Sequence, residues 1–191
     1  LSLTESGYFA NKNVARDGAG AVISKSVTAT DTLGGAKSGN YTLTQPTSLS
    51  ATIQPRTLTA TYSGVDKVYD GSSAATVGIS DNRLAGDTLS ILASAAFVAT
   101  GTEAAKDVLW DNTATPSTVQ AKTVQVSGAA LTGADAGNYS LVTTSGSTTA
   151  RITPRALTVS GIAALDKTYD RTLTATVDAS AVAEREPESL P

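Results

Sequence analysis

The sequence predicts an all-β protein made of tandem Ig-like β-sandwich repeats, each just under 100 residues long. Three observations carry that expectation. Apolar residues alternate with Ser and Thr over short runs, the period of half-buried strands. Ser and Thr make up roughly a quarter of the 191 residues and aromatics only 5%, a composition suited to pleated, part-solvated surfaces. Finally, landmarks recur in one order. Tyr69-Asp70 and Tyr169-Asp170 are 100 residues apart, and Gly39-Asn40-Tyr41-Thr42-Leu43 returns 98 residues later as Gly137-Asn138-Tyr139-Ser140-Leu141. Gln54-Pro55-Arg56-Thr57-Leu58 returns 99 residues later as Thr153-Pro154-Arg155-Ala156-Leu157.

The landmarks divide the chain at its Pro-Arg pairs. Residues 1–55 read as the C-terminal part of one repeat, because Lys12-Asn13-Val14 answers Lys106-Asp107-Val108 and Lys25-Ser26-Val27 answers Lys122-Thr123-Val124. Residues 56–154 form a complete repeat, and 155–191 begin the next one with a divergent tail from Ala179, including Glu184 to Glu188. With neither an initiating Met nor a signal peptide, the chain reads as a fragment. The partial repeats are expected to be less ordered than 56–154, or to complement each other between molecules.

Within 56–154, Leu58 and Ala60 face one side. Leu89, Ile91, Ala93, Ala95 and Phe97 alternate with Ser and Thr, with Leu92 and Val98 interrupting the polar face. Val124 and Val126, then Tyr139 and Leu141, continue the pattern. Turns are expected at Ser63-Gly64, Asp70-Gly71, Ala85-Gly86-Asp87 and Gly133 to Asn138. That gives about seven short strands, near the number an Ig-like sandwich needs. Another β-sandwich or a β-grasp-like unit reads almost the same. Gly101 to Lys106 is the one stretch that could make a helical turn. Pro154 cannot donate to a ladder, so it ends one strand and directs the next. Such short junctions imply a stiff rod.

Composition narrows the function. A net charge of −3 and a pI near 4.9 argue against nucleic-acid binding, which needs a basic face. No apolar run approaches the roughly 20 residues of a membrane helix, so no membrane insertion is expected. Cys and His are both absent, which removes disulfides, thiol chemistry and every His-dependent triad. A motif copied into each unit more readily builds that unit than performs unique chemistry.

The order Asp66-Lys67-Val68-Tyr69-Asp70-Gly71, then Gly133-Ala134-Asp135-Ala136-Gly137-Asn138-Tyr139-Ser140-Leu141, then Ala150-Arg151-Ile152-Thr153-Pro154 resembles the YDG repeat domain. The likeness extends over nearly the whole chain, with Arg171 standing where the family has glycine. The resemblance implies a large bacterial surface or secreted protein of the filamentous-haemagglutinin-like adhesin kind, with an extracellular or cell-surface location. Its repeats would form an extended stalk or adhesive surface, with no catalytic activity and no cofactor. Partners would be neighbouring repeats of the same chain and a host-surface glycan or protein.

The candidate residues divide between building and binding. Tyr69, Asp70 and Gly71, repeated at Tyr169 and Asp170, read as a core tyrosine followed by a capped tight turn. Asn138, Tyr139 and Pro154 are the other signature positions. Asp135 and Asn138, with Asp70 or Asp87, could offer oxygens to calcium, although turn formation is the simpler account. Lys67 or Lys167 raises an isopeptide cross-link, against the plainer reading of a solvated lysine paired with Asp66. Trp110, the single tryptophan, has no counterpart in 1–55. Core packing or a covered loop is the plainer reading, and a unit-specific contact the functional one. A glycan- or calcium-dependent binding module is the alternative function. A carboxylate hydrolase is disfavoured because the acids do not converge.

Overall fold

The computed structural model describes residues 1–180 and 183–185; Glu186 to Glu188, part of the divergent tail, lie outside the described residues. The chain is mostly β, with no α-helix among the described residues and 44% strand, arranged in many small sheets. Single 3₁₀ turns stand at Ser38–Asn40 and Ala136–Asn138.

Two compact units gather these sheets. The first comprises Leu1–Gly64, Thr76–Ala96 and Val124–Thr148; the second comprises Val65–Ala75, Phe97–Thr123 and Thr149–Pro191. In the first unit, Gly7–Phe9, Lys25–Ala29 and Leu49–Ala51 form an antiparallel sheet with Lys25–Ala29 in the middle. A second three-stranded sheet, lying mostly in this unit, places Lys122–Thr132 between Ser90–Phe97 and Gly146–Ala150. Arg56–Leu58 runs parallel to Tyr139–Leu141, with Arg56 opposite Tyr139 and Leu58 opposite Leu141.

That parallel pair organises the core. Leu58 is 0% exposed and Tyr139 only 4%; both cluster with Leu89, against which Ile91, Leu131, Ala136 and Leu141 pack. The alternation in 89–97 is observed as expected, with odd-numbered residues turned inward. Leu92 and Val98 remain outward and exposed, so they interrupt the polarity of that face without breaking the register. Val124 and Val126 are fully buried.

In the second unit, Lys67–Val68 pairs parallel with Ile152–Thr153, and the Tyr69 amide donates to the Thr153 carbonyl at 2.8 Å. The strand ends at Pro154, as its missing donor requires. Trp110–Asp111 and Thr118–Val119 form a small antiparallel pair. Further along, Thr158–Ser160 pairs with Ala183–Arg185, and Ala163–Ala164 with Val177–Asp178.

Several local expectations need correction. Ser63-Gly64 is not a turn: it lies inside the strand Ala60–Val65, which pairs with Thr76–Asp81. Its glycine permits a turn but does not require one, because Tyr62 and Gly64 keep the inward alternation of that strand. Gly101 to Lys106 forms no helix. Thr100 and Glu103 exchange backbone hydrogen bonds as a bridge, and a second turn closes from Asp107 to Ala104. Eleven short strands, rather than about seven, lie between Arg56 and Thr153, because single-residue breaks such as Thr59 split longer runs.

The contrast between Leu58 and Leu157 gives a direct test of the core. Leu58→Ala should cost about 2–5 kcal/mol in urea unfolding. Leu157→Ala, at the matching Pro-Arg-Xaa-Leu position but 58% exposed, should stay within about 0.5 kcal/mol of the parent.

Candidate functional site

The sharpest sequence motif is a lysine-held turn. Asp70 Oδ1 accepts the Ser72 amide at 2.9 Å, an Asx turn, and also accepts Lys67 Nζ at 2.7 Å. Lys67 Nζ donates further to the Ser72 and Ala74 carbonyls at 2.7 and 2.9 Å. Gly71 sits at φ 77°, the left-handed region where a Cβ is disfavoured. The geometry recurs at Lys167, which donates to Asp170 Oδ1 and to the Thr172 carbonyl, both at 2.9 Å. Arg171 holds φ 62° there, so it keeps the turn despite its side chain. Both Asp70 and Asp170 have carboxyl pKa values lowered, first by the lysine hydrogen bond and then by the backbone amide of the turn.

Two readings of this motif change. Tyr69 is half-buried rather than a core residue, and Tyr169 is 84% exposed. Tyr69 follows the last parallel rung, and Lys106 Nζ lies 5.8 Å from its ring. Lys67 pairs with Asp70, not Asp66; Asp66 instead accepts the Arg151 amide at 2.7 Å. Three polar partners hold the Lys67 ammonium, and Asp70 is half-exposed, so the apolar enclosure an isopeptide bond needs is missing there. Tyr69, Asp70, Gly71 and Arg155 line a cleft of about 190 Å³.

The buried tyrosine is Tyr139. Its hydroxyl donates to Asp87 Oδ2 at 2.6 Å and accepts the Leu84 amide at 3.0 Å. The turn before it is hooked to the segment leading into Ser90–Phe97: Thr88 N donates to Asp135 Oδ2 at 2.8 Å, and the Asp135 amide to the Thr88 carbonyl at 3.0 Å. Gly133, at φ 112°, lets this approach happen, since a Cβ there would lie 2.8 Å from Leu89 Cα.

Residues 12–16 dock onto the same turn. Lys12 Nζ reaches Asp87 Oδ1 at 3.3 Å and Asp135 at 4.0 Å. The Val14 amide donates to Asn138 Oδ1 at 2.9 Å, and Arg16 donates from Nε and Nη2 to the Gly137 carbonyl at 3.2 and 3.1 Å. The oxygens proposed for calcium are thus engaged in hydrogen bonds. Among the described residues no three acidic side chains gather in a way that could hold a metal.

Sequence reasoning used Lys25 and Lys122 only as alignment marks, yet each acts as a staple. Lys122 is a buried charge whose Nζ donates to the Ala104, Ala105 and Asp107 carbonyls at 2.5, 3.1 and 2.9 Å. Burial lowers its pKa, with Asp107 and Glu103 opposing. Lys25 Nζ donates likewise to the Asn11 and Asn13 carbonyls at 2.8 and 2.9 Å. Given the alignment of Lys12-Asn13 with Lys106-Asp107, the two lysines close corresponding loops. The available signal was a lysine opening an otherwise alternating strand at both places. A second missed element is Arg83, which clasps Asp81 and the Leu89 carbonyl.

Trp110 is 44% exposed, so core packing does not describe it. It lies in a two-residue strand opposite Val119, too short a ribbon to cover an indole.

The described residues are thus β-rich, and their recurrent lysines and aspartates serve turns and loops. Residues 54–148 match the family model of the YDG domain, so the chain carries a YDG domain across nearly all of the repeat read from sequence as 56–154. Comparison with curated proteins returns no match, and neither does comparison with solved structures.

Two measurements test these roles. Lys122→Met keeps much of the apolar stem but leaves three carbonyls without their donor, and should destabilise by about 1–3 kcal/mol in urea unfolding. Asp87 has its carboxyl pKa lowered, first by the Tyr139 hydroxyl and then by Lys12. The stabilisation it confers is therefore complete above the ordinary carboxylate pKa and is lost as pH falls through the lower folded value. Melting temperature should drop on acidification along that limb, and Asp87→Asn should make the drop shallower.

Proposed function

We propose that this chain is a non-enzymatic structural and adhesive segment, part of the extended stalk of a large bacterial surface or secreted adhesin. In this reading its domains are tandem Ig-like β-sandwich repeats, with boundaries at 1–55, 56–154 and 155–191, acting outside the cell. Each repeat would take its neighbours in the chain as its first partners, and a host-surface glycan or protein would be met at the distal end.

The observation that carries the reading is the recurrence of structural devices at repeat spacing. Lys67-Asp70 and Lys167-Asp170 hold the same turn, and Lys25 and Lys122 staple corresponding loops. Residues that recur in building roles favour a modular spacer over a single reactive centre. The docking of Lys12, Val14 and Arg16 on the 135–138 turn supports a fixed joint between consecutive repeats, since it combines an ion pair with backbone-directed hydrogen bonds. The exposure of Trp110 favours the second reading, a glycan-binding face on the same scaffold, because an indole offers a flat apolar platform to a sugar ring.

Small-angle X-ray scattering of the full chain separates a stalk from a globule. A radius of gyration well above the roughly 16 Å of a compact protein of this length is expected, and a value at that compact figure overturns the stalk. Trp110 fluorescence unmoved by a panel of surface glycans is the outcome expected of a spacer; a saturable shift would favour the binding module.

A further inference from the structure

The two ends of one peptide group, between Asn13 and Val14, serve two different contacts. The Asn13 carbonyl accepts Lys25 Nζ at 2.9 Å, and the Val14 amide at the other end of that peptide donates to Asn138 Oδ1 at 2.9 Å. Asn13 meets Asn138 through its side chain too, with Oδ1 accepting Asn138 Nδ2 at 3.2 Å. Lys25 opens the middle strand of the sheet formed with Gly7–Phe9 and Leu49–Ala51. Asn138 ends the turn Ala136–Asn138. The peptide therefore lies between a staple on one side and a docking turn on the other.

We infer that Lys25 is the positioning residue for the docking of residues 12–16 on the 135–138 turn, acting through the Asn13–Val14 peptide. An ammonium on a carbonyl draws electron density along the amide and makes the N–H at its far end a stronger donor, so hydrogen bonds in series reinforce one another. The staple also orders the loop before it docks. Lys25 Nζ holds the Asn11 carbonyl at 2.8 Å, and the Asn13 amide turns back to Asn11 Oδ1 at 3.1 Å. With both carbonyls gathered on one ammonium, the chain presents the Val14 amide to Asn138, and Arg16 follows within reach of the Gly137 carbonyl. Without the ammonium, docking itself has to order the loop, and the entropy of ordering opposes the contact. The staple half of the device recurs: Lys122 Nζ donates to the Asp107 carbonyl at 2.9 Å, and that carbonyl shares its peptide with Val108, the residue aligned with Val14. That the contact is a joint between repeats rests on the proposal above, whereas the relay stands on Lys25, Asn13, Val14 and Asn138 alone.

Amide hydrogen exchange of the full chain, followed residue by residue by NMR, reports each end of the relay. Lys25→Met should lower protection of the Val14 amide roughly tenfold or more, the scale of one hydrogen bond to a charged group, while residues 26–28 of the same strand keep theirs. Asn138→Ala should lower it as well. Adding Lys25→Met to Asn138→Ala should bring little further loss, because both groups act on one bond. Unchanged Val14 protection in Lys25→Met overturns the inference, and so do losses that multiply in the double variant. If residues 26–28 also lose protection with Lys25→Met, the relay is read from its other end, since coupling is reciprocal. Asn138→Ala must then loosen the Asn13 amide, and an unchanged Asn13 amide overturns the inference. Scattering from the full chain judges the repeat proposal separately: coupled losses in a compact particle keep the relay and remove the stalk, and uncoupled losses in an extended one do the reverse.

Discussion

The parallel contact between Arg56–Leu58 and Tyr139–Leu141 is the constraint on which the YDG domain depends. It joins segments about 80 residues apart, so its loop-closure cost must be met by burial. Leu58, Leu89 and Tyr139 supply that burial at one point. Apart from Phe97, the remaining buried apolar residues are Ala, Val and Ile, whose side chains bury less area than large aromatics. In such a domain the placement of a few large groups decides whether the sheets come together. Tyr139 joins two roles, filling the core with its ring and anchoring Asp87 and Leu84 with its hydroxyl.

In both units, charged side chains take the place of the regular capping that helices would provide. Lys122, Lys25, Lys67 and Lys167 each direct an ammonium at loop carbonyls. An ammonium carries three donors, and a loop that bends sharply leaves several carbonyls without ladder partners. One lysine therefore satisfies what would otherwise need water or additional backbone. Lys122 carries this furthest, since its ammonium is held inside the fold against a desolvation cost.

Much of the strand pattern was legible in the sequence. The alternation of Leu89 to Phe97 and of Val124 and Val126 is a direct projection of the pleat, and Asp70-Gly71 and Gly133 to Asn138 carried recognisable turn chemistry. What was not legible depends on distant partners. Tyr69 and Tyr139 look alike locally, and both stand at a parallel pairing, yet only Tyr139 has Leu58 and Leu89 around its ring to bury it. Ser63-Gly64 resembled a turn because glycine permits one, but pairing with Thr76–Asp81 kept it extended. The lysine staples were hidden because a lysine at the start of a strand reads as solvated until its loop carbonyls are placed around it.

The direction of the outermost strand pairs has a mechanical consequence. Arg56–Leu58 and Lys67–Val68 come early in the chain between residues 56 and 154, and each runs parallel to a strand late in it, Tyr139–Leu141 and Ile152–Thr153. Tension drawn along the backbone from opposite ends would load each of these pairs in shear. All the hydrogen bonds of a ladder would then have to yield together instead of unzipping one after another.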